Sequence, residues 1–237
     1  MYLQITTRCN MSCEHCCYSC GPQGDDMSLE TFRQALDMCE EFGNTPFLGG
    51  GEPTIHPEFE KILLESIACA GRIGDGEAGI ITNGKLKNRA MMIASLAKGN
   101  VIYAQLSRDI YHDPINMEVV YAFEALGRSG SYHHGIRDTS NSGEREPMPH
   151  GRGKEVVGFE EDEYSEDTRD SRDCPCEDWI IKPNGDIHQC GCEDAPKIGT
   201  VFEGVEHTYL GLCCRDPELR ELLEEDDPDH SLLMQLP

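Results

Sequence analysis

The chain has 237 residues, of which 44 are acidic and 20 are basic, giving a formal net charge of -24. This charge disfavours electrostatic binding to nucleic acid or to an anionic membrane surface, and it identifies no substrate. The sequence contains neither a long apolar run nor a charged segment followed by an apolar one, so we expect a cytoplasmic protein with no membrane partner.

Segments with strand and helix patterns alternate four times in the first part of the chain. The predicted strands are Tyr2 to Thr6, Pro46 to Leu48, Ala78 to Thr82 and Val101 to Ser107. The predicted helices are Leu29 to Gly43 after a Ser28 cap, Pro57 to Ala70, Asn88 to Ala97 and Ile115 to Gly127. This alternation predicts an α/β fold in which a parallel sheet with crossover helices forms an open or closed barrel. A fifth strand is expected around Tyr132 to Arg137.

The chain divides into three predicted regions. Residues 1–137 form the partial barrel, and residues 138–173, which are acidic and poor in large apolar residues, form a linker or loop. Residues 174–237 form a small cysteine-rich module. It contains a β-hairpin that turns at Asn184-Gly185 and ends with a charged helix from Asp216.

Three cysteines follow the first strand at a spacing that indicates a metal site. Cys9, Cys13 and Cys16 lie close together on one loop, and such cysteines in a reducing compartment are more often metal ligands than disulfide partners. Three thiolates can hold a 4Fe-4S cluster and leave one iron open to a chelating molecule. The alternatives are a zinc site with His15 as the fourth ligand, or buried free thiols.

A second motif, Gly49-Gly50-Gly51-Glu52-Pro53, follows the second predicted strand. Together with the C-x3-C-x2-C spacing, it resembles the radical S-adenosylmethionine (SAM) superfamily. The resemblance implies that the three cysteines bind a catalytic 4Fe-4S cluster. It also implies that backbone groups of the glycine motif and the Glu52 carboxylate contact the methionyl amino group of SAM. Glycines permit close approach of a ligand and a carboxylate pairs with an ammonium, which fits these roles.

Further residues at strand ends resemble SAM-binding positions of the same family. Asn83 follows the third strand, and Ser107 and Asp109 close the fourth. The resemblance implies that Ser107 and Asp109 face the ribose or carboxylate of SAM, at the edge of the sheet where ligand sites of α/β folds gather. For all three residues, a turn or solvated strand end is the alternative.

The other cysteines of the barrel region have different predicted roles. Cys17 and Cys20 extend the first cysteine loop, but the family spacing is complete without them, so they are predicted not to bind the cluster. Cys39 lies on the apolar face of a helix and Cys69 lies near a helix end. Both are predicted to be core residues.

A second cysteine group surrounds the predicted hairpin and consists of Cys174, Cys176, Cys190, Cys192, Cys213 and Cys214. It resembles the SPASM and twitch extensions of many radical SAM enzymes, and Pro149 to Gly153 resembles a short motif that often precedes them. The resemblance implies one auxiliary 4Fe-4S cluster held by four of these cysteines, with the four undecided. A structural zinc ion is the alternative.

The family resemblance implies reductive cleavage of SAM to methionine and a 5'-deoxyadenosyl radical that abstracts hydrogen from a substrate. The implied partner is an external one-electron donor such as flavodoxin or ferredoxin. The auxiliary module favours a peptide or protein side chain as substrate, and a nucleotide or other small molecule is the second hypothesis. The third is a non-catalytic iron-sulfur or zinc module that binds a partner protein. No catalytic residue is identified, although Tyr111, His112, His133 and His134 lie near strand ends.

Overall fold

A computed structural model describes residues 1–74, 76–127, 135–137, 151–157, 179–191 and 195–205. The strands in these ranges are β1 (Tyr2–Thr6), β2 (Phe47–Gly50), β3 (Ala78–Thr82), β4 (Ile102–Ser107), β5 (Gly135–Arg137), β6 (Ile180–Ile181), β7 (Asp186–His188), β8 (Lys197–Thr200) and β9 (Gly204–Val205). They form one sheet in the order β5-β4-β3-β2-β1-β6-β7-β8-β9. Pairing is parallel from β5 to β6 and antiparallel from β6 to β9.

Four helices connect the first five strands. They are α1 (Leu29–Glu41), α2 (Phe59–Ile73), α3 (Lys87–Lys98) and α4 (Met117–Glu124). A short 3-10 helix, Pro53–Ile55, follows β2, and a short helix, α5 (Gly153–Val157), precedes the hairpin. Each long helix therefore crosses between two neighbouring parallel strands, which is the arrangement that alternating strands and helices produce.

Local sequence explains where α1 begins and ends. The hydroxyl of Ser28 accepts a hydrogen bond from Thr31 N at 3.0 Å and so satisfies one of the unpaired donors of the first turn. Gly43, just beyond the helix, has a φ of +65°, a conformation that glycine adopts without steric cost. The two ends of α1 are thus determined by the residues that flank it.

The hydrophobic core lies where the helices cover the parallel strands. Leu3, Leu48 and Ile80 of the strands are fully buried and belong to one cluster with the inward faces of the helices. Cys39 and Cys69 are also fully buried in this cluster, as expected of core residues. Because helices cover the parallel strands, the strand residues are apolar.

The C-terminal hairpin continues the barrel sheet. β6 pairs in parallel with β1, and Tyr2 N donates a hydrogen bond to Trp179 O at 2.9 Å. Ile181 and Ile187 belong to the same core as the barrel strands. The chain turns between β6 and β7 at Gly185, whose φ is +90°, as the sequence predicts. β1 consequently has a hydrogen-bonded partner on each side.

The structure confirms the predicted α/β fold with its parallel sheet, and the observed elements begin or end within a few residues of the predicted bounds. Only residues 135–137 of the predicted fifth strand are described, and α5 lies within the predicted linker. The predicted helix from Asp216 lies outside the described residues, and the division into three regions stays a prediction. In the described part of the chain, no helix is both long enough and apolar enough to cross a membrane.

Ile181→Ala should lower the free energy of unfolding by about 3 kcal/mol, because it removes buried groups from a core that β6 shares with β1. Urea unfolding followed by circular dichroism measures this loss, and one transition is expected. Leu64→Ala, at an exposed position of α2, is the control and should change stability by less than about 0.5 kcal/mol. A separate early transition, or a loss no larger than in the control, would contradict a shared core.

Candidate functional site

The loop between β1 and α1 carries three of the predicted metal ligands. Cys9, Cys13 and Cys16 are free thiols and each is partly exposed. The base of the loop is held by an ion pair in which Arg8 Nε and Nη2 donate to the two carboxylate oxygens of Asp26, at 3.0 and 2.6 Å. The ion pair therefore fixes the ends of the loop that carries the three thiols.

The thiols of this loop affect one another's protonation. Burial, followed by the proximity of Cys9 and Cys16, raises the pKa of Cys13 to about 11. A hydrogen bond from the Cys20 thiol lowers the pKa of Cys16 to about 5, and the Cys20 amide donates to Cys16 Sγ at 3.4 Å. Neighbouring thiolates that repel one another are stabilised by a metal centre, so this donor set fits an iron-sulfur cluster.

The glycine motif packs the end of β2 against the end of β1. Gly51 N donates to Thr6 O at 2.8 Å. A β-carbon on Gly50 would overlap Thr6 O, and one on Gly51 would overlap the carbonyl oxygen of Arg8. Gly50 also has a φ of +131°, which side chains rarely allow. The packing of the two strand ends therefore requires glycine here before any ligand is considered.

Glu52 is buried, with 1% of its surface exposed, and its carboxylate accepts four hydrogen bonds from the residues that the structure describes. Oε1 accepts from Thr54 N at 3.1 Å, from Thr54 Oγ1 at 2.5 Å and from Thr82 Oγ1 at 2.7 Å. Oε2 accepts from Asn83 N at 2.7 Å. Burial raises the pKa of Glu52, although all these donors favour its charged form. Glu52 thus fastens the end of β2 to the end of β3.

Asn83 extends this connection to the cysteine loop. Its Nδ2 donates to Asn10 Oδ1 at 2.8 Å and lies 3.7 Å from Cys9 Sγ. Lys85 reinforces the contact, because its Nζ donates to Asn10 O at 2.7 Å and pairs with Asp113. The glycine motif, the end of β3 and the cysteine loop are therefore joined at the carboxyl edge of the parallel strands.

Asp109, just after β4, is joined to the same loop through His15. Its side chain is fully buried, with Oδ2 lying 3.2 Å from His15 Nε2 and Oδ1 lying 2.7 Å from His112 Nδ1. Tyr111 N also donates to Oδ1, at 3.0 Å. These three side chains lie close enough to hold a metal ion, but hydrogen bonding accounts for their arrangement without one.

The remaining predicted site residues are only partly placed. Ser107 is half-buried at the end of β4, and contact of Ser107 or Asp109 with SAM stays a prediction. Cys190 is buried, and a β-carbon on the adjacent Gly191 would lie 2.7 Å from the hydroxyl of Tyr18 in the cysteine loop. The predicted residues outside the described ranges are Cys174, Cys176, Cys192, Cys213, Cys214, His133 and His134.

Sequence reasoning missed residues that hold the site together rather than bind a ligand. Thr54 lies two positions after Glu52, and a hydroxyl so close to a carboxylate is a signal that could have identified it. Thr82 and Arg152 offered no local signal, because their partners are distant in the chain. The only signal near Arg152 in the sequence is that Pro149 to Gly153 resembles a family motif, and this signal does not indicate a contact with the cysteine loop.

Comparison with known proteins identifies relatives of this chain. A family model described as "Radical SAM superfamily" matches residues 3–126. The chain is 34% identical over 114 residues to the "Tungsten-containing aldehyde ferredoxin oxidoreductase cofactor-modifying protein" of Pyrococcus furiosus. The aligned region covers 46% of this chain and 30% of that protein. The chain is 29% identical over 142 residues to "Mycofactocin maturase MftC" of Mycobacterium ulcerans, covering 58% and 34% of the two chains. The chain thus spans about a third of the length of these relatives.

A solved structure, that of BtrN in complex with AdoMet and 2-DOIA, has a similar fold. The TM-score is 0.55 at 12% sequence identity, with 85% of this chain and 77% of that chain covered. At this identity the likeness concerns the fold alone. It supports the same α/β architecture that the sequence and the sheet topology indicate.

Glu52→Ala should lower the free energy of unfolding by about 3 kcal/mol, because it leaves the Thr82 hydroxyl and the Asn83 amide buried without an acceptor. Urea unfolding measures the change. Glu41→Ala, at an exposed position of α1, removes the same charge and should cost less than about 0.5 kcal/mol. Equal stabilities for the two variants would show that Glu52 does not fasten β2 to β3.

Asp109→Asn and His15→Phe should be coupled in a double-mutant cycle of unfolding free energies, by about 1 kcal/mol or more, because His15 Nε2 and Asp109 Oδ2 lie 3.2 Å apart in a mostly buried contact. The matched control replaces Asp109→Asn by Asp113→Asn. Asp113 is a half-exposed carboxylate that pairs with Lys85, and it should show no coupling to His15. Additive effects of Asp109→Asn and His15→Phe would argue against the link.

Proposed function

The chain belongs to the radical SAM superfamily, and from this membership we propose that it is an enzyme that cleaves SAM reductively and abstracts hydrogen from a substrate. One observation carries the proposal. Three partly exposed thiols, Cys9, Cys13 and Cys16, share one loop, and Asn83 joins that loop to the end of β3, which Glu52 fastens to the glycine motif. A cluster and a cofactor that must bind side by side would find their residues together at this edge.

Cys9, Cys13 and Cys16 would hold a 4Fe-4S cluster in this proposal. When bound, the cluster supplies an electron that breaks a carbon-sulfur bond of SAM. The protein supplies hydrogen bonds to the ligand sulfurs, which affect the reduction potential of such clusters. Cys9 Sγ accepts from Met11 N at 3.4 Å, and Cys16 Sγ accepts from Cys20 N at the same distance.

SAM would bind along the ends of β2, β3 and β4. Oε2 of Glu52 accepts one hydrogen bond within the described residues, from Asn83 N, and so has capacity for the methionyl ammonium. Backbone groups of Gly49 to Pro53 would complete the contact, since the glycines leave the chain accessible at close range. Asn83, Ser107 and Asp109 would bind the rest of the cofactor, with Asp109 also holding His15 in place.

The C-terminal cysteines would form a SPASM-like or twitch-like module with one auxiliary 4Fe-4S cluster, or a zinc ion in its place. Cys190 is the candidate ligand that the structure describes, and it lies next to Gly191, close to Tyr18 of the cysteine loop. This proximity supports a second centre near the first. Cys174, Cys176, Cys192, Cys213 and Cys214 are the other candidates for the remaining ligand positions.

We propose a peptide or protein side chain as the substrate and a flavodoxin or ferredoxin as the electron donor. The similarity to a protein named a maturase, which covers more than half of this chain, supports this substrate class. The similarity to a cofactor-modifying protein supports a small molecule as the second candidate. The acidic charge of the chain argues against long nucleic acid in either case.

The test is anaerobic iron and sulfide analysis with electron paramagnetic resonance of the dithionite-reduced protein, with and without SAM. The wild type is expected to contain about eight irons, and a Cys9→Ala, Cys13→Ala, Cys16→Ala variant about four. SAM should perturb the spectrum of the wild type alone, because the open iron belongs to the cluster that this variant lacks. The wild type should also release 5'-deoxyadenosine.

The outcomes separate the candidate functions. Cys39→Ala is the control variant, since Cys39 is buried in the core and should not affect iron content. About four irons in the wild type would argue against the auxiliary cluster but would be consistent with the proposed cleavage of SAM. If the protein contained zinc without iron and released no 5'-deoxyadenosine, the proposed enzymatic activity would be contradicted. A non-catalytic module that binds a partner protein would then be favoured.

A further inference from the structure

Residues 151–157 lie against the cysteine loop although they are far from it along the chain. Arg152 contributes three hydrogen bonds to carbonyl groups of that loop. Nε donates to Cys13 O at 3.0 Å, Nη2 donates to Cys20 O at 2.7 Å, and the backbone N donates to Cys16 O at 3.1 Å. Two predicted cluster ligands and the neighbouring Cys20 are thus held through their backbones by one residue.

Gly151 makes this approach sterically possible. Its φ is +53°, and a β-carbon on it would lie 2.6 Å from Cys17 O, 2.7 Å from Cys16 O and 2.7 Å from Ser19 Oγ. No other residue could occupy the position without moving the loop. The glycine and the arginine that follows it therefore act as one unit, in which the first permits contact and the second makes the hydrogen bonds.

The shape of the guanidinium suits this task. Its planar fork of donors has a fixed geometry, so it can fix the separation between Cys13 O and Cys20 O, which a lysine with a single point of charge cannot do. The loop also has hydrogen bonds of its own, from Cys16 N to Cys13 O and from Ser19 N to Cys16 O. Arg152 therefore locks a turn that is already formed.

The guanidinium also carries charge. Its Nε and Nη2 donate to Cys13 O and Cys20 O, so the positive charge lies against the loop that carries the ligand sulfurs. Reduction adds a negative charge to a cluster, and a nearby fixed cation favours the more negative state. In a chain with a net charge of -24, this cation opposes the general field.

We propose that Arg152 is a positioning residue that clamps the cysteine loop and makes a cluster bound by Cys9, Cys13 and Cys16 easier to reduce. The clamp itself depends only on contacts within the chain. The effect on reduction rests on the proposed function, because it requires the cluster. The two parts are therefore tested by different measurements.

The clamp is tested in cluster-free protein by hydrogen-deuterium exchange of the Cys16 and Ser19 amides. Arg152→Lys and Arg152→Gln should both exchange about tenfold faster than wild type, because both lose the fork that holds the turn closed. Arg33→Gln is the matched control, since it removes an arginine that pairs with Glu65 on an exposed surface. Exchange within about twofold of wild type in both Arg152 variants would overturn the clamp.

The electrostatic effect is tested by redox titration of the reconstituted proteins, followed by electron paramagnetic resonance. Arg152→Gln should lower the equilibrium constant for one-electron reduction about tenfold, or about 59 mV. Arg152→Lys keeps the charge and should lie within about threefold of wild type, or about 28 mV. A potential for Arg152→Gln equal to that of Arg33→Gln would overturn this part.

These measurements distinguish failure of the inference from failure of the proposed function. A wild type that takes up no iron would overturn the proposed function together with the electrostatic part. The exchange experiment would still decide the clamp, because it needs no cluster.

Discussion

The buried carboxylate of Glu52 is the constraint on which the arrangement of the site depends. It receives donors from the end of β3 and from the 3-10 helix that follows β2, so the ends of two neighbouring strands share one acceptor. Such a carboxylate is costly to bury, and the cost is offset only while every donor is in place. Once Glu52 has fixed the end of β3, the direction of Asn83 follows, and with it the contact to the cysteine loop.

The cysteine loop is joined to the rest of the protein by polar contacts from several distant residues. Arg8 and Asp26 close its base, His15 joins it to Asp109, and Arg152 joins it to a distant segment. A metal-binding loop needs this kind of support, because its thiols must converge before the metal is present to hold them. The same contacts leave the thiols partly exposed, as access by a cofactor requires.

The sequence predicted what depends on local pattern and short spacing. β1, β3 and α1 could be located because apolar periodicity and a Ser28 cap are local signals, and the strand ends could be grouped because parallel strands bring their carboxyl ends to one edge. The partners of Glu52 and Arg152 could not be predicted in this way. They depend on which strand ends and segments meet in space, and a hydrogen bond between distant residues leaves no periodicity in the sequence.

The position of β1 in the middle of the sheet has a consequence for the order of folding. β1 pairs with β2 on one edge and with β6 on the other, and β6 is synthesised long after β1 and β2. Until β6 is present, the sheet exposes an unpaired edge of β1 at Tyr2 and Leu3, and such edges can pair with other chains. Completion of the sheet is thus a long-range event in the chain, and it depends on the arrival of a strand of only two residues, Ile180–Ile181.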